Sequence, residues 1–353
     1  MRTRILFTSG REPEYPRNAM IRAALSRHFD IINITDSSRN LLLRYLRVCA
    51  HLLKANKIDF DLMFVGFLGQ PLMLLARLLT RKPIMFDAFL SIYDTLCFDR
   101  RVFTPQSVVG KLAFWLDRVS CVRADRVLLD TQAHADYFQH TFSVPETKLQ
   151  SLFVGCDENI FYPRQSQITT PLVLYYGSFL PLQGIDVIVR AAKLLEGRSN
   201  VAFRIIGTGI EAAHIRALVS ELDVQNITFL PPVLLGQLPE HIQEATICLG
   251  GHFGVSAKAA RVIAGKTFQC IAMGKPTIVG DNAANRELLR HGHDAWFCRM
   301  NDPEALAEAI LHLISDPKLC AQLGDNAHQT FVERASIQAL SGQLKQIVES
   351  MTG

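Results

Sequence analysis

The chain alternates short β-branched runs with longer stretches of helical spacing, and it does so twice. In the first half Arg4-Ile5-Leu6-Phe7-Thr8 ends in Ser9-Gly10, and Asn18 to Phe29 then carries a helical pattern. The same rhythm continues through Ile31 to Ile34, the helix Leu41 to Lys54, Leu62 to Val65, the helix Pro71 to Thr80, and Pro83 to Asp87. Arg126 to Asp130 closes the run, with Thr131 placed to cap the next helix. Such alternation leaves little choice of fold, because strands joined through helices form a parallel sheet covered on both faces.

The second half restarts the pattern. "PLVLYYGS" and "VAFRIIGTG" are strands with glycine ends, followed respectively by "GIDVIVRAAKLLE" and by a helix from Glu211 to Leu222. Ile227 to Leu230, a helix around Leu238 to Ala245, Thr246 to Leu249, Thr277 to Val279 and Ala295 to Phe297 complete it. Between the halves lies "DENIFYPRQSQITTP", polar and proline-bounded, which reads as the linker. A chain of 353 residues is long for one core. The expected architecture is therefore α/β: two doubly wound Rossmann-like domains facing across a cleft. They would span residues 1–165 and 166–335, with a last helix over 336–353 returning toward the first.

Composition narrows the class. Apolar residues make up 49% and charged ones 20%, as in a well-packed globular chain. The eight cysteines are scattered without a C-x-x-C pair, which reads as free thiols in a reducing compartment. No secretory signal is legible, and the most apolar window, Phe60 to Leu79, is interrupted by Asp61, Gln70, Pro71 and Arg77. A cytoplasmic protein is expected. Residues 1–165 carry 22 Lys/Arg against 16 Asp/Glu, a net of +6, whereas the remainder carries 15 against 17, a net of −2. The basic half suits either peripheral contact with the cytoplasmic face of a membrane or simple solvation. Leu41 to Lys54, which mixes leucines with Arg44, Arg47, His51 and Lys54, reads either as a segment on a membrane surface or, the commoner case, as a core helix with snorkelling bases.

In wound sheets ligands bind beyond the carboxyl ends of strands, so the residues after each strand carry the functional question. "AGKTFQCIAMGKPTIVGD", 264 to 281, is the most suggestive. Gly265 opens a short helix, Gly274 closes it, and Pro276 prevents its continuation. The free amides of a helix start, residues 265 to 267, suit an anion; Lys266 adds a cation and Gln269 can bond a sugar hydroxyl. Ser256, Lys258 and Arg261 stand in the preceding loop. A capped surface helix with incidental bases is the competing account. Gly177 in "YYGSFLPLQG" and Gly207 in "IIGTG" would let backbone approach a ligand, though neither completes G-x-G-x-x-G. In the first half Gly10, Arg11, Arg17 and Asn18 follow the first strand, while Asp87 stands where another strand runs out, with Tyr93 beyond it. Asp87 could orient a hydroxyl or a developing charge; Asp94 and Asp99 read as helix caps. There is no H-E-x-x-H, no G-x-S-x-G and no P-loop, and aromatics do not interleave with a basic patch. A protein-held metal and nucleic-acid binding are accordingly not expected.

From 172 to 317 these residues resemble the GT-B glycosyltransferases of family 4, through "YYGSFLPLQGIDVIVRAAKLL", "FRIIGTGIEAAHIRALVSELDVQNITFLPP" and "VIAGKTFQCIAMGKPTIVGDNAANRELL". The resemblance implies a hexosyltransferase-like enzyme of glycan or polysaccharide biosynthesis, retaining and without metal or other cofactor. It implies a nucleoside-diphosphate sugar as donor and an acceptor that is a glycan, a lipid-linked molecule or a small molecule. Implied donor contacts are Gly10, Gly177, Ser178, Gly207, Val233, Gly254, Gly265, Lys266, Thr267 and Gln269; Arg11, Arg17, Asn18 and Tyr93 fall to the acceptor. Asp87, Arg261 and Lys266 are the implied catalytic groups. The chain departs from the pattern at several places. Ser178 and Gln183 stand where the family has an Arg and a Lys, and its Glu-x7-Glu pair falls on Arg261 and Gln269, a degenerate form. Asp87 stands near the place of the family's N-domain histidine. Arg261 and Lys266 are expected to take over the diphosphate. A nucleotide-sugar 2-epimerase and an inactive nucleotide-sugar-binding protein remain as alternatives.

Overall fold

The computed structural model describes residues 2–54, 58–164 and 170–353, which form two compact units. The first comprises Met1–Val154 with Ile337–Gly353, and the second Gly155–Ser336. The expected boundary at 165/166 lies outside the described residues, as do 165–169 of the expected linker. The residues just before them belong to the second unit: Cys156 and Phe161 are buried, and the Cys156 thiol donates to the Phe268 carbonyl at 3.6 Å.

The first unit is built on six parallel strands: β1 (Arg4–Ser9), β2 (Asp30–Ile34), β3 (Leu62–Gly66), β4 (Ile84–Asp87), β5 (Arg126–Leu129) and β6 (Leu149–Ser151). Their order is β2-β1-β3-β4-β5-β6. Phe7 of β1 lies opposite Asn33 on one side and Phe64 on the other. β3 and β4 are buried along their whole length, which is why they read as continuous apolar runs. One apolar layer gathers Val48, Leu72, Met73 and Phe138. The other gathers Ile5, Phe7 and Met20 with Leu340, Leu344 and Val348 of the final helix, Ile337–Thr352.

The second unit repeats the design with β7 (Leu172–Tyr176), β8 (Ala202–Ile206), β9 (Ile227–Leu230), β10 (Ile247–Leu249), β11 (Thr277–Gly280) and β12 (Trp296–Cys298). The order is β12-β11-β10-β7-β8-β9, again all parallel. The chain starts at β7, steps outward to β9, then returns to the other side of β7 with β10. The order therefore reverses between β7 and β10, and the carboxyl ends of those two strands open the crevice in which wound sheets take ligands.

Three expectations need correction. The first helix runs Pro16–Ser26 rather than from Asn18, because proline suits the first helical position, where no amide bond is needed. The cap near residue 94 is Ser91, whose hydroxyl accepts from the Asp94 amide; Asp94 lies inside the helix it was expected to cap, and Asp99 ends the π-turn Thr95–Asp99 that follows. A long helix, Val108–Arg123, and the strand β6 were not anticipated. The helix escapes a periodicity reading because its inward face is Gly110, Ala113, Asp117 and Ser120, while several of its large apolar residues point outward.

Candidate functional site

At the end of β7 the backbone turns through Gly177 at φ +141°, and the Gly177 amide bonds Ile206 O at 3.0 Å. Beside it Gly207 is at φ +139°, and a Cβ there would sit 2.0 Å from Gly177 O. The two strand ends can lie this close only because residue 207 has no side chain. β10 ends in Gly250-Gly251. The Thr267 hydroxyl donates to Gly250 O at 3.2 Å, which ties the start of the helix Gly265–Ala272 to the end of β10.

Lys266 occupies the niche between these turns. A Cβ at Gly177 would stand 3.9 Å from its Nζ, and a Cβ at Gly251 would stand 3.4 Å away. The side chain is 7% exposed, donates to Gln183 Oε1, and lies 4.7 Å above the Tyr175 ring. Among the described residues no carboxylate pairs with it. Burial pulls its pKa down from 10.5 to about 7, with the Cys270 thiol a smaller opposing influence. An ammonium desolvated without a counterion is costly, and an anion arriving there would relieve that cost.

The neighbouring groups agree in sign. The helix Gly265–Ala272 has no side-chain N-cap, and the amides of Gly265 and Lys266 meet no protein acceptor among the described residues. Of the three amides expected to face an anion, that of Thr267 is already bonded to Ala264 O at 2.9 Å. Gly265 is exposed, and nothing lies within 4 Å of where its Cβ would be. His252, directly after Gly251, is buried, and its Nδ1 has no partner among the described residues. Burial first, and then the Lys266 and Lys258 cations, hold it neutral with a pKa of about 3. The sequence reading missed His252; its position behind a strand-end Gly-Gly was the available signal.

The remaining donor candidates fall on this unit as follows. Ser178 is exposed beside Gly177, and Val233 is half-buried after β9. Gly254 packs against the 181–184 turn, its amide on Leu182 O at 3.2 Å. Gln269 accepts a hydrogen bond from the Tyr176 hydroxyl at 2.9 Å, so its carbonyl oxygen already has a protein donor. Arg261 is half-buried in the turn before the helix, its amide on Lys258 O at 3.0 Å. A cavity of about 960 Å³ in the same unit lies instead at the amino ends of β7, β10 and β11, beside Pro171, Thr246 and Pro276. Lys275 at its wall already donates to the carbonyls of Gln243 and Ala245. That is the wrong end of a wound sheet for ligand chemistry.

In the first unit one expected acceptor residue, Arg17, meets the expected catalytic residue Asp87. Arg17 and Asp87 are both buried and form a bidentate pair at 2.9–3.2 Å, and Arg17 also donates to Leu152 O and Phe153 O. Burial pushes the Asp87 carboxyl up, while Arg17 beside it pulls it back. Asn18 bridges the switch point of this sheet, accepting from the Phe67 amide at 3.1 Å and donating to Glu12 O at 2.9 Å. Gly10 is buried with its amide on Phe67 O, and Tyr93 packs edge-on to Phe98 and Phe114. Arg11 is half-exposed, paired with Glu12 at 2.9 Å. Arg17, Asn18 and Asp87 thus hold the unit's own strand ends together, because groups buried this deeply must be satisfied internally. Among the described residues no cluster of three or more His, Cys, Asp or Glu is placed to hold a metal ion.

Residues 170–316 match the family model described as Glycosyl transferases group 1. This group 1 segment contains the whole Lys266 site. Curated relatives include an exopolysaccharide phosphotransferase of Streptomyces coelicolor, 26% identical over 171 residues, which are 48% of this chain and 17% of that one. An uncharacterized glycosyltransferase of Haemophilus influenzae is 20% identical over 64% of this chain and 61% of its own. A D-inositol 3-phosphate glycosyltransferase of Acidothermus cellulolyticus is 26% identical over 57% of this chain and 48% of its own. The chain therefore spans less than two-thirds of the length of these relatives. Among solved structures, Anabaena HepE in complex with UDP superposes with a TM-score of 0.75 at 14% identity, covering 99% of this chain and 100% of that one. Sucrose-phosphate synthase of Thermosynechococcus elongatus gives 0.79 at 15% identity over 99% of both. The fold is GT-B, with two Rossmann-like units.

Proposed function

We propose that this chain is a glycosyltransferase of GT-B family 4 that moves a sugar from a nucleoside-diphosphate donor, with retention and without a metal. The observation that carries the reading is Lys266: a desolvated ammonium at the switch point of the second sheet, beside free helix amides and two strand-end glycines. Its role would be to neutralise the diphosphate as it leaves, the function that fixed positive groups serve best when they are already desolvated. Gly177, Gly207 and Gly251 would admit the phosphates to backbone distance. Arg261 is assigned a second cation, and Val233 and its neighbours the base. UDP is the first donor base to try, since HepE is known in complex with UDP and with UDP-glucose.

The departure from the family pattern has a physical reading here. Gln183 stands where the family has a lysine, and its Oε1 accepts from Lys266 Nζ. Two ammoniums would not share that niche, so lysine at 266 and an acceptor at 183 form a matched pair that supplies one cation from the other side. The first unit is assigned the acceptor on the resemblance alone.

A melting screen against UDP-, GDP-, ADP- and dTDP-sugars tests the donor, because a ligand of the folded state raises the midpoint. Release of nucleoside diphosphate over a panel of acceptors tests transfer. A chain that no nucleotide stabilises would sink the donor site. One that binds nucleotide but turns over no donor would be a binding protein, and one that rearranges donor sugar without acceptor would be an epimerase.

A further inference from the structure

Surface helices of soluble chains carry an apolar stripe inward and charged residues outward. The helix Val108–Arg123 inverts the second half of that rule. Val108, Leu112, Trp115 and Val122 are all exposed, Val108 at 83% and Trp115 at 50%, and they lie four, three and seven residues apart. Those steps are near whole turns of a 3.6-residue helix, so the four side chains form one outward stripe. The segment before it presents Phe98, Val102 and Phe103 to solvent as well.

The same layer of the first unit holds two more helices of this character. The helix Gln70–Leu79 packs between Leu41–Lys54 and Val108–Arg123 and exposes Leu78. On Leu41–Lys54 the residues Leu42, Leu46 and Leu53 form a second outward stripe, Leu42 at 69%, while Val48 and Leu52 face the core. The exposed charge carried by the three helices themselves has one sign, although Arg47 and Arg77 pair with Asp36 and Asp125 just outside them. The only carboxylate in the three helices is Asp117, which is fully buried and accepts from Ser91, Gln70 and the amides of Ile92 and Tyr93. Lys54, Lys111, Arg118 and Arg123 are exposed along the edges of the stripes, and Arg47, also exposed, is paired with Asp36 at 3.6 Å.

We infer that the outer face of these three helices docks on an anionic phospholipid bilayer. Two parallel apolar stripes edged by cations fit a plane whose interior is apolar and whose surface is negative. Exposed Trp115, with an apolar ring and one N–H, suits the headgroup boundary. The insertion is shallow, since no helix among the described residues is long and apolar enough to cross a membrane. A protein partner would not require the absence of exposed carboxylates across three helices.

The test uses the full chain with vesicles of phosphatidylcholine alone and of phosphatidylcholine containing phosphatidylglycerol. The expected result is cosedimentation with the anionic vesicles only, weakened by salt, with a blue shift of Trp emission that Trp115→Phe removes. Lys111→Gln with Arg118→Gln should weaken vesicle binding about thirty-fold, taking roughly a five-fold loss for each cation removed from a charged surface. Leu112→Ser with Trp115→Ser should abolish it, and Val332→Ser, an exposed valine of the second unit, should not change it. Melting curves confirm that each variant folds. Binding to neither kind of vesicle, equal binding to both, or full binding by the folded Lys111/Arg118 variant would each overturn the inference. Self-association lost in the Leu112/Trp115 variant, without vesicle binding, would assign the face to a second copy of the chain instead.

Discussion

Replacing Lys266 with methionine should make the protein more stable and a worse nucleotide binder. The ammonium has a pKa of about 7 against 10.5 for the ordinary lysine, and at about 1.36 kcal/mol per pH unit this places its burial cost near 5 kcal/mol. Methionine fills nearly the same volume without that cost, but it loses the hydrogen bond to Gln183 and the contact with the Tyr175 ring. Those losses offset about 2 and about 1 kcal/mol respectively, leaving a gain of about 2 kcal/mol. For a unit of this size the midpoint should rise by about 4–8 °C. The gain depends on pH in a defined direction. Between pH 7 and 10.5 the unfolded chain holds a proton that the folded lysine has released, so the wild type gains stability as pH rises. The advantage of Lys266→Met is therefore greatest at and below pH 7, vanishes about 1.5 pH units above it, and reverses toward pH 10.5. Affinity should move the other way, with UDP binding weakened about 10- to 100-fold by loss of a charge-assisted phosphate contact. Calorimetric melting and titration read the two quantities on one preparation. A variant that melts lower and binds UDP as well as the wild type would mean that Lys266 is a packing residue and the site lies elsewhere.

Three more outcomes follow from the same geometry. Because a bound diphosphate would return Lys266 to its charged form, the affinity for UDP-glucose, whose diphosphate diester does not titrate in this range, should be flat below pH 7 and fall by up to about ten-fold per pH unit above it, with proton uptake visible in buffers of different ionisation enthalpy; a pH-independent affinity refutes the contact. Gln183→Lys should weaken UDP binding by crowding two ammoniums, and Gln183→Lys with Lys266→Gln should recover most of it, since the cation then comes from the turn instead of the helix; a double variant no better than either single one would break the pairing argument. Asp87→Ala leaves the buried Arg17 guanidinium without its partner and should destabilise the first unit by about 3–5 kcal/mol, while Arg17→Met with Asp87→Leu recovers much of that. An unchanged melting point with lost sugar transfer would return Asp87 to the chemistry.

How far the sequence could be read follows the kind of signal each element carries. Strands buried on both faces announce themselves as unbroken apolar runs, and most of those in the two sheets stand within a residue or two of where periodicity places them. β6, three residues long and mostly exposed, has no such run. The helix Gly265–Ala272 was legible from its punctuation, and Gly274 at φ +66° closes it as a glycine in that place should. Long-range pairings were not legible. Nothing local in "YPRN" or "MFDA" says that Arg17 and Asp87, seventy residues apart, satisfy each other rather than a ligand. The same holds for Asp117, which accepts from a turn more than twenty residues away. A single sequence shows which side chains can bond, and only the packed chain shows which are already bonded.

That distinction also decides how to treat a motif that has lost its usual letters. Judged by letters, Ser178, Gln183, Arg261 and Gln269 leave the segment without the charges that its resemblance leads one to expect there. Judged by space, the topology brings the ends of β7 and β10 and the start of one helix to a common point, and the helix delivers a cation there through Lys266. Placing it on the helix puts its four-carbon stem between Gly177 and Gly251 and frees the turn to offer an acceptor. It also buries the ammonium more deeply than an exposed loop would, which lowers its pKa to about 7 and brings it within reach of physiological titration. What matters at such a site is the positive charge at the switch point. Which residue number supplies it is set by how the local backbone can be filled, so substitution at the usual positions argues for lost function only when no other element restores the charge.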